Sequence, residues 1–214
     1  MKEAKKVIVF QGDSITDCAR IREDPGNLGQ GYPTRVAGEL GLANPGTYKF
    51  YNRGVSGDRI VDIYARMKYD IINLKPDYLS ILVGVNDVWH ERDTANGVSA
   101  PKFKKVYGML LEELKEALPE LKIMLLEPFV CPGKATQDQY EWFRQEVLLR
   151  AEAVKELAQE HDLVFVPLQA DLDALIPQAT EKFWLHDGVH PTVFFHQYMA
   201  NKWVETFERE WANN

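Results

Sequence analysis

The sequence predicts an α/β protein of three layers, with helices on both faces of a mostly parallel, five-stranded sheet. Three observations carry that expectation. Short apolar runs alternate with longer segments of helical period along the whole chain. The apolar runs are rich in Val, Ile, Leu, Phe and Tyr and bounded by turn residues, as strands buried on both faces are. The length of 214 residues, with no internal repeat, low-complexity segment or linker, suits one domain with a sizeable core. Residues 1–214 are therefore read as a single α/β/α sandwich.

In chain order the strand candidates are Val7–Gln11, Lys49–Asn52, Tyr78–Val83, Lys122–Glu127 and Leu163–Val166. Between them lie helical patterns. Tyr32–Leu42 carries Val36, Ala37 and Leu40 at helical spacing, and Arg59–Leu74 repeats apolar residues from Ile60 to Ile72. Pro101–Leu118 has a proline in its first turn, Ser99 as a candidate cap and Pro119 beyond its end. Gln137–His161 is the longest pattern. The last, about Thr192–Trp211, spaces Phe195, Tyr198, Met199, Trp203, Phe207 and Trp211 by three or four residues. That aromatic end either covers the domain or pairs with a second subunit. A homo-oligomer fits the second case, with its symmetry open.

Composition narrows the function classes. Apolar residues make up 45% and charged residues 27%, ordinary values for a globular protein. A net charge of −7, with no interior basic cluster longer than Lys104-Lys105, disfavours nucleic acid and anionic membranes as partners. Two cysteines, Cys18 and Cys131, make neither a disulfide framework nor a cysteine metal site. Cys18 reads as a small buried filler. No run of 18 apolar residues exists, and the polar start Met1–Lys6 leads straight into a short strand, unlike a signal peptide. A cytoplasmic protein is the resulting expectation.

The chemistry gathers at the two ends of the chain. Val7-Ile8-Val9-Phe10-Gln11-Gly12-Asp13-Ser14 reads as a strand ending in a glycine turn that presents a hydroxyl. Asp187-Gly188-Val189-His190-Pro191 puts a carboxylate and an imidazole three residues apart, close enough for one to orient the other. Ser14, His190 and Asp187 thus supply a nucleophile, a general base and its orienter, the set that acyl transfer needs. Two strand-end segments, Asn52-Arg53-Gly54 and Gly84-Val85-Asn86-Asp87, add oxyanion donors: the Gly54 backbone N–H and the Asn86 side chain, beside the Ser14 N–H. In a parallel sheet the site lies beyond the carboxyl ends of the strands, and Ser14, Gly54 and Asn86 each follow a candidate strand. Each motif alone has an ordinary reading, a Gly-Asp-Ser turn or an Asx turn. His186, directly before Asp187, leaves open which histidine acts. A metal held by His186, Asp187 and His190 is a further alternative, though no separate acidic or cysteine ligand block accompanies it.

These four blocks, in this order, resemble the SGNH (GDSL-type) esterase/lipase superfamily. The resemblance spans the chain from Phe10 to the last helix and implies a flavodoxin-like sheet order. Its four signature residues would be Ser14, Gly54, Asn86 and His190, and its spacing selects His190, three residues after Asp187, over His186. It implies no metal and no cofactor. The first block reads Gly-Asp-Ser-Ile where the family has Gly-Asp-Ser-Leu, a conservative exchange. Phe195-His196 stands where many relatives carry Gly-His, and His196 is read as structural. The longer stretches Ile15-Thr16-Asp17-Cys18, Gly29-Gln30-Gly31-Tyr32, Asp87-Val88-Trp89 and Trp184–Pro191 look like intracellular acetylxylan and xylo-oligosaccharide acetylesterases.

The substrate is less legible. Tyr32, Trp89 and Trp184 are candidates for sugar stacking or for an acyl wall, with Asp13 either joining them or capping the turn after it. No apolar lid precedes the site, which argues against interfacial lipase action. The expectation is a serine esterase acting on small acyl groups, acetyl above all, of carbohydrates such as xylo-oligosaccharides. Two rivals remain: a short-chain ester, lysophospholipid or thioester hydrolase, and a catalytically silent carbohydrate-binding relative.

Overall fold

Five parallel strands form one sheet in the order β2-β1-β3-β4-β5 in the computed structural model, which describes residues 5–212. The strands are β1 (Lys6–Gly12), β2 (Tyr48–Asn52), β3 (Tyr78–Leu82), β4 (Lys122–Leu126) and β5 (Val164–Val166). All four pairings are parallel. Each predicted strand is present, with no end shifted by more than one residue.

The two-residue period of the strands sorts their side chains into two cores. Ile8, Phe10, Met124 and Leu126 face one layer, while Val9, Leu79, Ile81, Ile123 and Leu125 face the other. The first layer is closed by α2 (Tyr32–Ala43) and α9 (Val193–Phe207), through Val36, Leu40, Phe195, Met199 and Trp203. The second is closed by α3 (Ile60–Asp70) and α5 (Ala100–Ala117), through Ile60, Ile63, Phe103 and Leu110. The long helix α6 (Tyr140–Glu160) serves both, giving Phe143 and Val147 to the first core and Val154 and Leu157 to the second.

The C-terminal aromatics cover their own domain. Trp203 stacks on Phe207, and the half-buried Trp211 packs on Phe207 and Tyr78. Several helix ends differ from the sequence expectation. The pattern 59–74 breaks after Asp70 into a tight 3₁₀ turn, Ile72–Leu74. Another such turn, Gln137–Gln139, precedes α6, and the last helix widens into a π-type turn over Glu208–Ala212. Ser99 does sit at the N-cap of α5, but its side chain makes no capping bond.

Short helices went unread in the sequence. They are α1 (Ser14–Asp17), α4 (Val85–Thr94), α7 (Gln169–Leu175) and α8 (Glu181–Trp184). The sheet reverses its direction of growth at β1, with β2 on one side and β3 on the other. In open parallel sheets ligands bind at such a switch point, outside the carboxyl ends of the strands. Here α1 leaves β1 and α4 leaves β3 at that crevice.

Candidate active site

Ser14 opens α1 directly after the turn that ends β1. The turn is held by Asp13, whose carboxylate accepts the Ile15 N–H at 3.0 Å. Burial pushes the Asp13 carboxyl up to about 7. At 2% exposure Asp13 is a cap beneath the site, which corrects its candidacy as a substrate-binding residue.

Ser14 Oγ lies 2.9 Å from His190 Nε2, and His190 Nδ1 lies 2.8 Å from Asp187 Oδ2. An ionised carboxylate can only accept, so Nδ1 carries the ring proton and Nε2 is left to accept from Ser14. Asp187 Oδ1 also accepts the Val189 and His190 N–H groups at 3.0 and 2.9 Å. Burial alone would raise the Asp187 carboxyl, but the hydrogen bonds from His190 and Val189 outweigh it and hold it down at about 2. The hydrogen bond to Asp187 raises the His190 imidazole above its usual 6.5, with burial opposing.

The Asp187–His190 segment is pinned from two sides. A bridge joins Leu185 to Pro191, and His186 N–H donates to the His190 carbonyl. The loop after β4 binds the outer side, where Cys131 N–H donates to Gly188 O and Ala135 N–H to Asp187 O. Gly133 packs so closely there that a Cβ would lie 2.3 Å from the Asp187 backbone. The sequence offers no signal for this loop's role, because its contacts are backbone to backbone.

The oxyanion side corrects the sequence reading. Gly54 N–H is already spent on Asn52 Oδ1 at 2.9 Å, and a Cβ on Gly54 would meet Asp17 N at 2.5 Å. Gly54 is thus a close-packing glycine. The same loop presents a second one, Gly57, which lines the cleft with Ser14, Asn86 and His190. Gly57 has φ +89°, a conformation costly to any residue with a Cβ, and its N–H donates to no other described group. Asn52 and Asp17 hold this loop in place. Asn52 Nδ2 donates to the Thr16 and Leu28 carbonyls, and Asp17 Oδ2 accepts from both the N–H and the hydroxyl of Ser56.

Asn86 occupies the first turn of α4, not a loop. One Nδ2 hydrogen goes to Asp58 O at 3.1 Å, which orients the amide and leaves the other hydrogen for the cleft. Asp87 beside it is fully buried, accepts the Ile60 N–H, and is pushed up to about 8 by burial.

The cleft measures about 360 Å³. Trp89 lines it, its ring centroid 5.8 Å from that of His190. The other two aromatic candidates lie elsewhere. Tyr32 is fully buried in the core, its hydroxyl 3.2 Å from Thr16 Oγ1, because α2 packs it edge-on against Phe10. Trp184 donates its indole N–H to Leu175 O and packs on the first core, away from the cleft lining. His186 faces a second cavity, with Cys18 and His196. His196 is held neutral by burial, down to about 3, and accepts the Tyr32 N–H. Among the described residues, no three His, Cys, Asp or Glu side chains group as a metal site. No described helix is long and apolar enough to cross a membrane.

Comparison with known proteins matches residues 10–198 to the GDSL-like Lipase/Acylhydrolase family. An acetylxylan esterase of Geobacillus stearothermophilus is 32% identical over 220 aligned positions, covering 97% of this chain and 96% of that one. The crystal structure of Axe2, an acetylxylan esterase of the same organism, superposes with a TM-score of 0.85 at 32% identity, covering 99% and 98% of the two chains. Solved catalytic mutants of Axe2 replace a serine or an aspartate by alanine. A protein of Parabacteroides merdae, provisionally assigned as a GDSL-like lipase, superposes with a TM-score of 0.89 at 36% identity, covering 94% and 96%.

Proposed function

This chain belongs to the GDSL-like lipase/acylhydrolase family and is a carboxylic ester hydrolase, and on that premise we propose that it removes small acyl groups, acetyl above all, from carbohydrates such as xylo-oligosaccharides. The observation that carries the mechanism is the unbroken chain from Ser14 Oγ through His190 to Asp187, at 2.9 and 2.8 Å. The acetyl and carbohydrate parts are supported by the likeness to the acetylxylan esterases.

In this reading Ser14 Oγ attacks the ester carbonyl while His190 Nε2 takes its proton. Asp187 keeps the ring in the required tautomer and stabilises the imidazolium. The Ser14 and Gly57 N–H groups and the free Asn86 Nδ2 hydrogen receive the oxyanion. Collapse of the tetrahedral intermediate breaks the bond to the alcohol, which leaves with the proton from His190. Water then attacks the acyl-enzyme with His190 again as base, and the acid is released.

Acetate release from acetylated xylo-oligosaccharides, beside nitrophenyl esters of rising chain length, tests the proposal with wild type and Ser14→Ala. Ser14-dependent release, falling steeply beyond short acyl chains, supports it. Activity on the nitrophenyl esters with none on the sugar moves the substrate to another ester. An optimum beyond about eight carbons excludes an acetyl-sized acyl pocket.

A further inference from the structure

The helix that presents Asn86 continues along the cleft, and its next two turns repeat one face: Trp89 and His90, then Asp93 and Thr94. Spacings of three and four place these side chains in one row. From that row we infer that α4 builds the subsite for the leaving alcohol, and that Trp89 is its specificity-determining residue, stacking on a sugar ring. The inference rests on the esterase reading of the same site and deepens it.

The argument starts from where a leaving group must lie. His190 Nε2 gives its proton to the departing oxygen, so the alcohol sits on the His190 side of Ser14. The acyl group and the oxyanion point in the other two directions from the carbonyl carbon. Trp89 is the aromatic residue of the cleft lining, and its ring lies against His190. It therefore borders the alcohol and not the acyl chain.

The indole is held rigidly for a residue on a cleft wall. Its Nε1–H donates to Asp93 Oδ2 at 2.8 Å, and the Arg92 guanidinium lies 5.7 Å from its ring. Arg92 also donates to Ala135 O at 2.6 Å and to Asp93 Oδ1 at 2.7 Å. Phe143 packs edge-on against the same ring. A fixed aromatic plane takes up a pyranose at little entropic cost, since both partners are rigid. Polar groups flank the plane. The His90 ring makes no hydrogen bond to another described residue, and Thr94 spends its proton on His90 O, leaving its oxygen to accept. An aromatic face beside unspent polar atoms suits a polyhydroxylated ring, with its C–H face and hydroxyl rim, better than a lipid alcohol.

The test compares two ratios of kcat/KM within each variant, so that a general loss of activity cancels. The leaving-group ratio sets a mono-acetylated methyl xylopyranoside against ethyl acetate. The acyl ratio sets ethyl acetate against ethyl butyrate. Trp89→Ala is expected to lower the leaving-group ratio by about tenfold and to leave the acyl ratio within about twofold of wild type. Trp89→Phe, which keeps the aromatic face, is expected to recover most of the loss. A change in the acyl ratio with a constant leaving-group ratio overturns the assignment and makes Trp89 an acyl wall. Unchanged ratios in both variants also overturn it. Should the alanine variant fold poorly, methyl xylopyranoside as an inhibitor of ethyl acetate hydrolysis by wild type decides: competitive inhibition supports the subsite, and none opposes it. Wild type inert on every ester defeats the esterase reading itself, a result distinct from unchanged ratios.

Discussion

A serine hydroxyl is a weak nucleophile, and in the proposed mechanism the groups around Ser14 activate it. The sharpest consequence concerns His190. It accepts a proton only when neutral, and the Asp187 hydrogen bond raises its pKa above 6.5. The acid limb of the kcat/KM profile is therefore expected above the free-imidazole value. Asp187→Asn removes the raising partner, so the limb is expected to move to lower pH while kcat falls by about 10⁴-fold. A limb that stays in place excludes His190 as the base. The same pair links pH to stability, with opposite signs. The raised His190 pKa contributes below the unfolded value of 6.5 and is lost as pH rises through the folded value. The lowered Asp187 pKa contributes above 3.8 and is lost as pH falls towards about 2. At this scale Ser14, Asp187 and His190 were candidates from residue type and spacing, and the superfamily resemblance singled out His190 over His186. The glycine could not. Gly54 and Gly57 share one loop, and only the folded backbone shows which N–H Asn52 has already taken.

The loop after β2 and the helix after β3 carry the rest of the proposed site, and each makes a prediction of its own. A Cβ at Gly54 would strike the backbone of α1, whereas at Gly57 nothing lies within 4 Å and the cost is the positive φ. Gly54→Ala is therefore expected to lower Tm strongly, and Gly57→Ala to lower kcat with a destabilisation of only about 1 kcal/mol. Thermal melts and kinetics on both variants check this, and the reverse pattern would restore Gly54 as the donor. Asn86→Ala is expected to reduce kcat by about 10²–10³-fold with KM little changed, as for loss of a single oxyanion donor. Helix α4 was hidden in the sequence. Its ten residues, Val85–Thr94, bury only the first four and show no apolar stripe, because the other face serves the cleft. The strands and α5 were legible for the opposite reason, being buried where their pattern says they should be.

Across the whole molecule, the order β2-β1-β3-β4-β5 places the ends of β1 and β3 side by side, so that Ser14 and Asn86 line one cleft although they lie 72 positions apart in sequence. The alternation of strand and helix foretold the layers, and the superfamily resemblance foretold the order. Helix α9 closes this sheet with Trp203, which is fully buried against Phe10 and Phe207. Trp203→Ala is expected to cost about 3–5 kcal/mol in denaturant unfolding. A second global property follows from Asp87. Burial raises its carboxyl to about 8, so folding takes up a proton between the unfolded value near 3.8 and that pH. Stability contributed by this group falls as pH rises across the window, and Asp87→Asn is expected to flatten the slope in melts taken through it.

The most direct measurement is the fate of Ser14 itself during turnover. Rapid acid quench after mixing with nitrophenyl acetate, followed by peptide mass analysis, is expected to find one acetyl group on the peptide containing Ser14, and none in Ser14→Ala. Full turnover by Ser14→Ala, or an acetyl group trapped on another residue with Ser14 unmodified, would contradict the account.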